Sequence, residues 1–144
     1  MPWTGARVEL RLTYQMVSTN VRPARAKVID PTSSTTPEMA AAGRDFDSFD
    51  DFCDQLLVFD AERGNGPDAV VGTYRVMRRE GAARRGQFYT SDEYQIDCLT
   101  AYPGEILDLG RSCVDVEHRG GIALFHLWSA LADYASRRRR FGGR

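Results

Sequence analysis

The sequence predicts an α/β domain built on a mixed sheet, and three observations carry that reading. Apolar runs at 55–60, 69–77 and 106–114 have the length of strands and are separated by turn-rich or polar stretches. A stretch from 122 to about 138 places apolar residues at helical spacing. Glu117-His118-Arg119-Gly120-Gly121 then reads as a glycine-containing turn that delivers the last strand into that helix. A meander of strands followed by a strand, a turn and a long helix is the pattern of a sheet flanked by helices.

Taken in chain order, residues 7–17 alternate apolar and polar side chains as a half-buried strand does, with a helix bearing Leu10, Tyr14 and Val17 as the competing assignment. From 18 to 37 the periodicity dissolves into Pro23, Pro31, Pro37 and the run Thr32-Ser33-Ser34-Thr35-Thr36, which is loop chemistry. Residues 37–43 have the proline start and glycine stop of a short helical turn. Acids and aromatics interleave from Arg44 to Asp54, just before the first predicted strand. About eight turn-rich residues, 61–68, join the first two strands, as an antiparallel hairpin requires. Residues 87–94 are polar and aromatic and suit a turn with a short helix. The predicted packing stripe of the long helix is Ile122, Phe125, Trp128, Leu131 or Ala132, and Ala135.

Composition bounds the function. The chain has 144 residues, 42% hydrophobic and 27% charged, enough for one core. A formal net charge of −1 gives no electrostatic reason to expect nucleic acid as a partner. Cys53, Cys98 and Cys113 have no metal-ligand or disulfide-scaffold spacing and read as reduced, partly buried thiols of a cytoplasmic protein. No apolar run approaches the roughly 20 residues of a membrane span, and residues 1–15 lack the apolar core of a signal peptide. No metal site is expected, since His118 and His126 have no partner set. Arg137-Arg138-Arg139-Arg140, with Arg144, reads as the solvated end of a helix, where cations suit the dipole.

Four blocks, in order, carry a resemblance. Asp47-Ser48-Phe49-Asp50-Asp51-Phe52-Cys53-Asp54-Gln55-Leu56-Leu57-Val58 is similar to an Asp-x-Phe-Asp…Cys-Asp-His-Leu-Leu-Val block. Val71-Gly72-Thr73-Tyr74-Arg75-Val76-Met77 resembles Val-Gly-Thr-Tyr-Arg-Leu. Phe88-Tyr89-Thr90-Ser91-Asp92-Glu93-Tyr94 resembles Phe-Tyr-x-x-x-Glu-Phe. Leu107-Asp108-Leu109-Gly110-Arg111-Ser112-Cys113-Val114, the most specific, resembles Leu-Glu-Leu-Gly-Arg-Ser-Cys-Val. These are blocks of the ornithine lipid N-acyltransferases of the GNAT superfold, often called hemolysin-like. The match covers 37–136 and leaves 1–36 poorly matched. The acyl-homoserine lactone synthases share a related skeleton and are the alternative resemblance.

The resemblance implies a GNAT-like mixed sheet flanked by helices, spanning 1–144 as a single partial domain. It implies transfer of a 3-hydroxy fatty acyl group from acyl carrier protein to the α-amino group of ornithine or a similar amine. The carrier protein is thus both partner and donor, and no cofactor is needed. Because the product is a lipid, peripheral contact with the inner membrane face is a further expectation. By position, Asp108 and Arg111 are implied to be catalytic, and Asp47, Asp50 and Arg75 to bind the acceptor. Val114, Val116, His118, Arg119, Gly120 and Gly121 are implied to hold the donor's phosphopantetheine.

Chemistry supplies reasons for those residue types, and each has a plainer alternative. A protonated amine must lose a proton before it attacks a thioester, and Asp108 is the carboxylate placed to take it, directly or through a water; it could instead pair with Arg75 or Arg111 in an ion network. Arginines grip a carboxylate bidentately, yet the same four charges could hold the acidic loop on the sheet. A helix N-terminus binds phosphate through unpaired amides, but glycines also serve plain strand-to-helix turns. Cys113 lacks an activating neighbour and reads as a small buried hydrophobe.

The chain departs from the family at Gln55, where His is usual, and at Asp108, where Glu is usual. An Arg-Tyr-x-Val-Phe-x-Glu-Glu element is not found upstream of 36, unless residues 12–17 are its remnant. The family also continues past the long helix with another strand. A domain incomplete at its C-terminus is therefore expected, with an inactive remnant or binding module as the alternative function.

Overall fold

The structure, a computed structural model, describes Pro37 and residues 47–141 other than Asn65 and Gly120, with 138–141 described as backbone only. The readings made for residues 1–36 and for most of 37–43 lie outside the described residues.

Three strands form one antiparallel sheet in the order β1 (Asp54–Phe59), β2 (Val70–Arg78) and β3 (Leu107–Val114). The predicted hairpin is present, and its ends are drawn together where the Asp60 N–H donates to the Ala69 carbonyl at 2.7 Å. Leu56, Leu57, Val58 and Phe59 of β1 read as an unbroken apolar run because both faces of the strand are covered there. A helix not anticipated from the sequence, α1 (Arg79–Arg85), follows β2 directly and stops at Gly86. Its signals were present: Ala82 and Ala83 favour helix, Glu80 and the Arg84-Arg85 pair suit the two dipole ends, and a glycine follows. Close approach requires glycine at 81, since a Cβ there would lie 2.2 Å from the Phe52 carbonyl oxygen. That contact seats α1 against the acidic segment that precedes β1. The short α2 (Asp97–Thr100) leads towards β3, held by the Arg79 guanidinium, which donates to the carbonyls of Thr100, Tyr102 and Gly104.

The long helix, α3 (Ile122–Phe141), lies across β1 and β2, and its packing face differs from the expected one. Leu127, Ala130, Leu131 and Tyr134 meet Leu56, Val58, Val71 and Val76 of the sheet. Of the expected stripe, Leu131 is buried, whereas Phe125 is 68% and Trp128 52% exposed. The helix carries two apolar stripes, and spacing alone cannot choose between them. The observed one brings Ala123 and Ala130 to the contact, and these small side chains let the helix approach the sheet. Trp128 meets Tyr74 edge-on, ring centroids 6.2 Å apart.

Side chains alternate along a strand, so the opposite sheet face carries Arg75 and Met77 of β2 beside Gly110 and Asp108 of β3. Phe49, Cys53, Met77, Ala82 and Phe88 form a second apolar cluster there, ringed by Phe52, Tyr89, Ile96 and Ile106. The charged residues singled out from the sequence gather on this face.

Candidate active site

The acidic segment is folded by its own carboxylates. Asp47 accepts from the Phe49 N–H at 2.8 Å, and Asp50 accepts from the Asp47 N–H at 2.8 Å. Such local side-chain caps are what Asp supplies in turns. These two bonds turn both carboxylates inward while Phe49 sinks into the apolar cluster and Asp50 starts a 3-10 turn, Asp50–Phe52.

Arg75, 2% exposed at the middle of β2, is the hub. Its Nη1 donates to both oxygens of Asp47 at 2.7 Å and to Asp50 Oδ1 at 3.3 Å. Aromatic rings lie against the guanidinium: Tyr89 at 4.7 Å and Phe49 at 5.9 Å from Cζ. Among the described residues Arg75 Nη2 is buried without a hydrogen-bond partner, 3.9 Å from where a Cβ on Gly110 would stand. Burial alone would raise the Asp47 carboxyl, but the Arg75 hydrogen bond and charge, the Phe49 amide and the Arg111 charge outweigh it and hold it below the ordinary carboxylate value. Burial acts on Arg75 in the direction of neutrality, and the bond to Asp47 overrides it, so the guanidinium stays charged.

Arg111 reaches the same carboxylate by an irregularity in β3. Arg75 faces Gly110 while Thr73 faces Cys113, so Arg111 and Ser112 together oppose Tyr74, a β-bulge. Arg111 adopts φ 47°, a left-handed conformation rare for a non-glycine residue. From there its Nη2 donates to Asp47 Oδ2 at 3.0 Å. Asp47, Asp50, Arg75 and Arg111 are thereby brought into one network.

Asp108 lies on the same face, opposite Met77, but is held differently. It accepts from the Thr90 N–H at 2.9 Å and from the Thr90 hydroxyl at 2.7 Å, so it is bonded to neither of the arginines considered for it. Thr90 belongs to a 3-10 turn, Tyr89–Asp92. Two participants were not singled out as site residues. Gln55 Nε2 donates to Asp50 Oδ1 at 3.3 Å, and its place opposite Arg75 follows from strand register, which a sequence leaves open. Thr90 had only its membership of the Phe-Tyr block as a signal.

The six expected donor residues share one turn, apart from Gly120, which lies outside the described residues. Val114 ends β3, and Val116–His118 form a 3-10 turn capped by Asp115, with Val116 exposed. His118 is turned toward protein carboxylates: Nε2 lies 3.4 Å from Asp60 and Nδ1 4.0 Å from Asp115. Arg63 joins that cluster through Asp60, Asp115 and Glu117. Arg119 Nε donates to the Val114 carbonyl at 3.2 Å. Gly121 has φ 98°, the left-handed turn from which α3 starts, and its carbonyl accepts the Phe125 N–H at 3.0 Å.

Cys53 is buried, and burial pushes its thiol up to about 12, with the Asp50, Asp47 and Asp108 charges adding and the Arg75 charge opposing, so it is no nucleophile at neutral pH. Cys98, expected to be partly buried, is exposed. Arg137 pairs with Asp133 at 3.7 Å on the solvent side of α3. Among the described residues no three His, Cys, Asp or Glu side chains are grouped to hold a metal, and no helix is long and apolar enough to cross a membrane.

An antiparallel sheet carrying an acid–arginine network on one face and a long helix on the other is consistent with an acyltransferase fold of the kind the motifs imply. Residues 27–129 match the Acetyltransferase (GNAT) domain family, and the chain belongs to that family. It is 46% identical to an L-ornithine N(alpha)-acyltransferase of Rhodobacter capsulatus over 89 residues, 61% of this chain and 34% of that protein. It is 36% identical to the L-ornithine N(alpha)-acyltransferase of Rhizobium meliloti over 136 residues, 90% of this chain and 46% of that protein. A protein of the same name from Agrobacterium fabrum is 42% identical over 99 residues, 67% of this chain and 34% of that protein. The chain thus spans between a third and a half of the length of these relatives. No solved structure matches it.

Proposed function

We propose that this chain carries acceptor-binding, catalytic and donor-binding residues of an N-acyltransferase that moves a 3-hydroxy fatty acyl group from acyl carrier protein to the α-amino group of ornithine. The product is lyso-ornithine lipid, made in the cytoplasm at the inner membrane face, and the acyl-carrier thioester is the donor without a further cofactor. The observation that carries the reading is the convergence of Asp47, Asp50, Arg75 and Arg111 on the sheet face that also bears Asp108. The names of the relatives support ornithine as the acceptor.

In this reading the arginines grip the acceptor's carboxylate, and Asp47 and Asp50 face its ammonium group. The buried Nη2 of Arg75 is the donor left for that carboxylate. Asp108 accepts the proton the ammonium must lose, directly or through one water. The amine lone pair then attacks the thioester carbon, a C–N bond forms, the C–S bond breaks, and the pantetheine thiol leaves with a proton. General-base assistance of this kind contributes roughly 10²–10⁴-fold. The turn from Val114 to Gly121 is the proposed seat of the donor's phosphate.

The test is direct: incubate the chain with radiolabelled 3-hydroxyacyl carrier protein and ornithine, and identify N-acylornithine by mass spectrometry. Label appearing in acylornithine supports the reading. Label that stays on the carrier protein while the folded chain binds ornithine points to a non-catalytic binding module.

A further inference from the structure

We infer that Thr90 is a positioning residue, which orients the carboxylate of Asp108 and couples it to the stacking of Tyr89 on Arg75. The inference rests on the acyl-transfer reading of Asp108.

A single bond to a carboxylate leaves it free to swivel, whereas two bonds to different oxygens fix its plane. Thr90 supplies both: its N–H donates to Oδ2 at 2.9 Å and its hydroxyl to Oδ1 at 2.7 Å. The amide is available because Thr90 lies in the first turn of a 3-10 segment that opens with the Ser91 N–H donating to the Phe88 carbonyl. Bonds from donors to an ionised carboxylate are short and strong relative to neutral ones. A carboxylate has about four lone-pair sites, so two remain for a proton or a bridging water. The hydroxyl thus sets which part of Asp108 is presented.

The turn reaches the other half of the site as well. Tyr89, the residue before Thr90, has its ring 4.7 Å from the Arg75 guanidinium carbon and meets Phe49 edge-on at 5.3 Å. A backbone anchored at Thr90 therefore holds the wall of the Arg75 pocket in register with Asp108. The aspartate side chain is short, and the two bonds from the 3-10 turn fix where its carboxylate stops.

The experiment compares the full chain with Thr90→Val and Thr90→Ser. Valine keeps the shape and the amide bond and removes the hydroxyl; serine restores the hydroxyl. Thermal unfolding first establishes that both variants fold. Thr90→Val is expected to lower kcat for acyl transfer about tenfold, as loss of positioning does, while KM for ornithine changes less than about twofold and Thr90→Ser recovers most of the rate. In ¹⁵N-resolved spectra, Asp108→Ala should move the Thr90 amide proton, because its acceptor is removed. An unchanged kcat in Thr90→Val, or a serine variant no better than valine, overturns the inference. Should the unaltered chain transfer no acyl group, the acyl-transfer reading fails on its own. The amide alone then decides whether Thr90 orients Asp108: movement upholds the orientation, and an amide indifferent to Asp108 overturns it.

Discussion

Arg111 Nη2 lies 3.0 Å from Asp47 Oδ2, tying a left-handed residue of β3 to an acidic turn 64 positions earlier in the chain. The same carboxylate takes two bonds from Arg75, so Asp47 is the joint between β2, β3 and the segment ahead of β1. Asp47→Asn leaves Arg75 buried with its main counter-charge gone. Breaking one partner of a buried pair costs about 3 kcal/mol, and urea unfolding should show a loss of that order. A variant as stable as the original chain would show the network to be incidental.

The depressed carboxyl of Asp47 sets the acid limb of stability. Its folded pKa lies below its unfolded value of 3.8, so the contribution is fully present above that value. It is lost as pH falls through the lower, folded value. Denaturant midpoints measured downward from pH 5 should fall in the unaltered chain more steeply than in Asp47→Asn, which has no such proton to bind. Parallel curves would contradict this.

The two stripes of α3 make opposite predictions. Leu127→Ala empties a site that is 0% exposed and should cost about 2–5 kcal/mol. Phe125→Ser, on the exposed stripe, should stay within about 0.5 kcal/mol. The expected packing of Phe125 on the sheet predicts the reverse order, so a pair of melts separates them.

Thiol chemistry reports on the second cluster. At pH 8 a disulfide reagent should label exposed Cys98 at once and leave Cys53, raised to about 12 under the Arg75 site, unlabelled until the chain unfolds. Prompt labelling of Cys53 would mean the acidic segment opens readily.

The strands were legible because their apolar runs are bounded by turn residues, and each was assigned to within a residue or two of where it lies. α1 was overlooked because Arg79 to Arg85 has almost no apolar stripe: only Gly81 and Ala82 are buried, so the periodicity that reveals most helices is missing. Asp47, Asp50, Arg75 and Arg111 were visible through the family motifs they belong to, since the resemblance implies that those positions cluster. Thr90 was not, because its grip on Asp108 depends on how a turn docks on a strand 18 positions away. Gln55 stood out only as a departure, and pairing across β1 and β2 is what gives it a place beside Asp50. Sequence spacing encodes local periodicity, and it leaves register and turn docking to the tertiary structure.

Acyl transfer by Asp108→Asn tests the central claim most directly. Asparagine keeps the size, and its one carbonyl oxygen can accept one of the two Thr90 bonds, but it cannot take a proton from the ammonium group. With radiolabelled 3-hydroxyacyl carrier protein and ornithine, the account predicts formation of acylornithine by the unaltered chain. It predicts a fall of about a hundredfold or more in kcat for Asp108→Asn, with ornithine binding kept by Arg75 and Arg111. A variant that acylates ornithine at the full rate would remove Asp108 from the chemistry and contradict the account.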